Sequence, residues 1–153
     1  MSSAALAQKV EDLAVTINEE IHVKAPLQVT FDALLEQLTD GMTAAEDKPM
    51  PMKIEPWPGG RWWRDLGDGN GHLWAHVQAI KRPTLLEFTG PLMMSLAVAS
   101  NIQYRLKEEA GGTVITFHHY ALGFVPADFR KGLGEGWKMI NQRAKDRAEK
   151  KGT

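Results

Sequence analysis

The chain has 153 residues, a formal charge of −1 at pH 7, 43% apolar and 24% charged residues, and no cysteine. That length suits one domain with its own core, and the near-zero charge removes any general attraction to nucleic acid or to an anionic membrane. Without cysteine there are no disulfides, thiolate metal sites or cysteine nucleophiles, and a reducing compartment fits, so a cytoplasmic location is expected.

Residues 1–12 read as a flexible leader that lacks the basic start and unbroken apolar run of a signal peptide, and 13–150 as a single domain. From Val15 the residues alternate, with Val15, Ile17, Ile21 and Val23 on one face, which predicts a half-buried strand. Glu19 falls on that apolar face, either as a buried acid with a raised pKa or as a strand-end residue reaching water. Pro26 opens a helix whose stripe is Leu27, Phe31, Leu34, Leu35 and Leu38, with Gly41 as its stop. Residues 42–51 form an irregular connection or a second short helix.

A strand-rich middle follows. Residues 52–60 contain two prolines and two glycines, which predicts an edge strand or a bulge. Residues 61–66 and 72–80 flank Gly-Asp-Gly-Asn-Gly, a strong hairpin signal, and 101–109 and 113–122 flank Ala110-Gly111-Gly112. Another strand lies near Leu86 and Phe88. The apolar run at 91–99 is too short to cross a membrane.

Residues 126–150 predict one long helix, about 37 Å from end to end. Phe129, Leu133, Trp137, Ile140 and Ala144 form its apolar face. The stripe crosses Gly132, Gly134 and Gly136, each of which weakens a helix by about 1 kcal/mol relative to Ala. Either another backbone approaches closely there or that half of the helix yields to admit something. The basic residues near its end suit the C-terminal dipole and a solvated face. One apolar helix after many strands must lie across a sheet, so the fold class is α+β.

The segments VKAPLQVTFDAL (23–34), IEPWPGGRWW (54–63), IKRPTLLEF (80–88), GGTVITFHH (111–119) and GEGWKMINQ (134–142) follow one another as in a known family. In them the chain resembles the START-like, helix-grip superfamily (SRPBCC), in particular the group named for the C-terminal domain of the heat-shock-protein ATPase activator. The resemblance implies a curved antiparallel sheet of about seven strands wrapped around the C-terminal helix. One or two short helices would follow the first strand, and a cavity would lie between sheet and helix. The chain departs from that group at Phe31, where a tryptophan is usual, and in the Met/Pro-rich segment 49–52.

On that fold Ile115, Phe117 and His119 face inward together, as do Ile102, Tyr104 and Leu106, and Leu86 and Phe88. Met42, Trp62, Phe88, Met93, Tyr104, Phe117, His119 and Trp137 are the candidate ligand-binding residues, because rigid aromatics with adaptable methionines suit an apolar guest. The same side chains also suit a solid core. His72 and His76 share a strand face about 13 Å apart, too far for one ion, so no metal site and no cofactor are expected. Nor does any nucleotide-binding or serine-nucleophile motif occur.

The expected function is therefore non-catalytic binding of a small hydrophobic or amphipathic molecule, with no nucleic acid partner and no membrane insertion. Self-association into a homodimer stays open. One alternative is a polyketide cyclase-like enzyme in which His119 or Glu19 moves protons. Another is a chaperone-associated interaction module with an exposed patch of Trp57, Trp63 and Trp74.

Overall fold

The computed structural model describes residues 13–152. The leader assigned to 1–12 lies outside them. In chain order the strands are β1 (Ala14–Val23), β2 (Lys53–Ile54), β3 (Arg61–Gly67), β4 (Asn70–Lys81), β5 (Leu85–Thr89), β6 (Val98–Glu109) and β7 (Gly112–Gly123). Helix α1 (Leu27–Leu38) follows β1, and helix α2 (Ala127–Lys151) closes the chain.

All seven strands form one antiparallel sheet in the order β1-β7-β6-β5-β4-β3-β2. The middle of the chain is thus a meander, and β1 returns to the far edge beside β7. Each hairpin has a local cause. Between β3 and β4, Asp68 and Gly69 adopt φ of 54° and 77°, a conformation that suits Gly and Asp. The proline-rich segment supplies only the two residues of β2, at the opposite edge, where missing N–H groups do no harm.

The two helices cover one face of the sheet. Pleat alternation sends Ile102, Tyr104, Leu106, Ile115, Phe117 and His119 under them, and all are buried. A register shift between Trp62 and Trp63 puts both Trp74 and Ala75 on the buried side of β4. Trp57, Trp63 and Trp74 therefore form no common surface patch: Trp57 is 56% exposed, Trp74 is 5% exposed, and Trp63 lies under the Arg61 guanidinium.

Helix α2 has two unlike halves. Its C-terminal half is fastened to α1 and the loop after it. Arg147 Nε donates to Gln37 Oε1 at 2.8 Å, Lys151 pairs with Glu36, and Arg143 reaches Thr43 and Asp47. The basic face is thus a clamp within the molecule as well as a solvated surface. The N-terminal half is held more sparsely. Leu133 and Trp137 are buried, but Phe129, predicted on the same stripe, is 37% exposed. Among the described residues, an added Cβ at Gly132, Gly134 or Gly136 would meet nothing within 4 Å outside the helix's own backbone. No other described backbone approaches these glycines closely enough to require them.

Between Met42 and β2 the chain makes only a single 3-10 turn, Ala45–Asp47. A second such turn, Leu92–Met94, lies between β5 and β6. Among the described residues no helix is long and apolar enough to cross a membrane.

Candidate functional site

The hollow beside the glycines is an apolar cleft of about 400 Å³. One wall is the face of α2 that carries Phe129, Gly132, Leu133, Gly136, Trp137 and Ile140. The other wall comes from Trp74 on β4, Leu92 and Met93 in the 3-10 turn, and Met42 after α1. These positions recur every three to four residues along α2 because that spacing keeps them on one side of a helix. Glycine at 132 and 136 leaves the wall concave where any larger residue would fill it.

Three of the eight candidate residues, Met42, Met93 and Trp137, border this cleft. Met42 and Trp137 are buried, whereas Met93 is exposed at the mouth. The other five, Trp62, Phe88, Tyr104, Phe117 and His119, lie together behind it in the sheet-side core. Their rings fall into two contacting groups. Trp62 lies 4.8 Å from Phe88 and 5.3 Å from Trp74, while Phe117 lies 4.8 Å from both Tyr104 and Trp137. Trp62 Nε1 donates to the Leu38 carbonyl at 2.9 Å, which ties the core to the end of α1. Trp74 and Trp137 thus connect the packed interior to the cleft surface.

Behind the cleft, buried polar groups are joined in two chains of hydrogen bonds. Trp137 Nε1 lies 2.9 Å from His119 Nδ1 and can only donate, so Nδ1 must accept. The proton of the neutral imidazole then sits on Nε2, which donates to Ser100 Oγ at 3.0 Å. A second proton would cost the Trp137 bond and bury a charge. Burial, reinforced by His118, lowers the His119 pKa to about 4. His119 is a satisfied core histidine in its neutral form.

A second chain of bonds runs beside it. Tyr104 Oη donates to Asn141 Oδ1 at 2.7 Å, and Asn141 Nδ2 donates to Glu19 Oε2 at 3.0 Å. Burial raises the Glu19 pKa, opposed by the Asn141 hydrogen bond and by Lys138. Burial, with the Glu19 charge, also pushes the Tyr104 phenol well above its usual range. Of the two readings of Glu19, the structure selects the partly buried acid. Neither Glu19 nor His119 borders the cleft, and the two belong to separate hydrogen-bond chains.

Sequence reasoning missed Trp74, Leu92, Phe129, Leu133 and Ile140 as cleft residues, and Asn141 as a buried bridge. Asn141 had a legible signal: it stands four residues after Trp137, a polar residue on the apolar face. The cleft residues had a partial one, two glycines on the same helix face. Among the described residues no three His, Asp or Glu side chains gather as a metal ion would require.

No protein-family model matches the chain, and no curated protein matches it in sequence. Its fold, by contrast, has many solved counterparts. It is similar to an AHSA1-like protein from Aeromonas hydrophila, with a TM-score of 0.65 at 15% identity over 90% of this chain and 94% of the other. It is similar to Ara h 8.0201, with a TM-score of 0.62 at 16% identity, covering 88% and 97%. The di-domain ARO/CYC StfQ of the steffimycin biosynthetic pathway gives 0.65 at 15% identity, with 97% of this chain matching 55% of that one. A curved seven-stranded antiparallel sheet, a short helix after its first strand and a long C-terminal helix across it make this a helix-grip fold.

Proposed function

We propose that this chain binds a small hydrophobic or amphipathic molecule, without changing it chemically, in the cleft between α2 and the Leu92–Met94 turn. The carrying observation is the apolar hollow beside Gly132 and Gly136, where the helix face is concave and no described residue fills the space. Covering on the order of 200 Å² of apolar guest surface would contribute about 5 kcal/mol before ordering costs are subtracted. Trp137, Met42 and Met93 make the direct contacts, while Trp62, Phe88, Tyr104, Phe117 and His119 hold the wall behind them.

The arrangement of ionisable groups supports binding over catalysis. Among the described residues the ionisable ones on the cleft wall are Asp128 and Arg143, fifteen residues apart on α2 and about 22 Å along the helix. Such a separation leaves no acid and base converging on one reacting atom. The order of the five sequence segments supports placing the chain beside the heat-shock-protein ATPase activator group of helix-grip proteins.

The test is a titration with Nile red, an uncharged dye that brightens in apolar surroundings. Wild type should bind it at a single site. Gly136→Leu, which fills the hollow with no clash at Cβ, should weaken binding at least about tenfold while the helix gains stability. Equal affinity in both chains would place the dye elsewhere, and no binding to wild type would refute the reading.

A further inference from the structure

The cleft is apolar along its length and charged at its ends, and the two ends differ in sign. Asp128 stands where α2 begins, and Arg143 stands with Thr43 and Gln37 at the other limit. A volume of about 400 Å³ drawn out along this face suits a chain-like guest better than a compact ring system. Resting on the binding reading above, we propose that the guest is a single-chain amphiphile with an anionic head. Arg143, which borders the cleft, receives that head in exchange for the Asp47 carboxylate, which it now holds from outside the cleft lining.

Arg143 already holds an anion. Its Nη2 donates to both Asp47 oxygens at 2.7 and 2.9 Å, and Nη1 donates to Thr43 Oγ1 at 3.1 Å. One guanidinium nitrogen shared between two carboxylate oxygens is a charge-assisted contact that a ligand carboxylate can also make. Asp47 is a tethered occupant on an awkward backbone. Glu46 and Asp47 have φ of 58° and 59°, two successive left-handed residues without a glycine. An incoming carboxylate that replaced Asp47 would free this turn to relax, so the exchange loses one ion pair, gains another and relieves strain.

The neighbouring cations do not offer the same site. Arg147 is engaged by Gln37 and Glu36 and does not border the cleft. The opposite end carries Asp128, which repels an anionic head and so fixes the orientation: head at Arg143, chain toward Phe129.

Displacement of bound Nile red from the full chain separates this proposal from the binding reading on which it rests. Laurate should displace the dye at about tenfold lower concentration than dodecanol, its chain-matched neutral counterpart. Arg143→Met should abolish the laurate preference, so that laurate and dodecanol displace the dye at the same concentration from a variant whose retained dye binding shows that it is folded. Asp47→Asn removes the internal competitor and should lower the laurate requirement about threefold. Equal displacement by laurate and dodecanol in wild type, or a laurate preference that survives Arg143→Met, overturns the anionic-head assignment while cleft binding stands. Failure of Nile red to bind wild type removes both.

Discussion

The neutral state of His119 makes a quantitative prediction about folding. In the unfolded chain its imidazole titrates near the ordinary 6.5, whereas in the fold the pKa is about 4. Between those values the unfolded chain binds a proton that the native state refuses, so stability falls as pH drops from about 6.5 toward 4. The full depression corresponds to about 3 kcal/mol at about 1.4 kcal/mol per unit, of which about 2 kcal/mol is already lost on going from about pH 8 to about pH 5. Urea unfolding across that range, compared with His119→Asn, isolates the contribution. Asparagine keeps an acceptor for Trp137 but cannot titrate. Glu19 and His22, whose raised pKa values act in the opposite sense, are present in both chains and cancel. The wild type should lose about 2 kcal/mol more than the variant between the two ends of the titration. Parallel pH profiles would refute the neutral state of His119 in the fold.

Trp137 is 3% exposed and packs on Phe117, so Trp137→Ala should cost roughly 3–5 kcal/mol in urea unfolding; an unchanged midpoint would mean that the helix does not rest on the sheet through this residue. Glu19 bears a carboxyl whose pKa is raised by burial, so its charge opposes folding increasingly as pH rises through that value. Glu19→Gln keeps an oxygen to accept from Asn141 and should stabilise the protein near neutral pH with little effect in mild acid. A stability loss at neutral pH would show that the negative charge is needed there.

The architecture was legible because it depends on short-range geometry. A pleated strand buries every second residue, so the alternation around Glu19 and across Ile115, Phe117 and His119 already reported which side faces the helix. The stripe through Leu133, Trp137 and Ala144 did the same for α2, and Gly-Asp-Gly-Asn-Gly marked a hairpin by its tolerance of positive φ. What these patterns cannot express is the volume left over once two helices and a curved sheet are packed together. Phe129 and Trp137 occupy the same predicted stripe and border the same cleft, yet one is exposed at its rim and the other is buried against the core. That difference arises because the Leu92–Met94 turn and Met42 come close to α2 without closing on it. The same applies to the polar groups. His119, Ser100 and Trp137, or Tyr104, Asn141 and Glu19, are far apart in sequence, and only the tertiary structure sets the distances that assign each donor its acceptor. Periodicity determined which faces are apolar; the fit between distant elements decided which apolar residues meet one another and which remain beside open space.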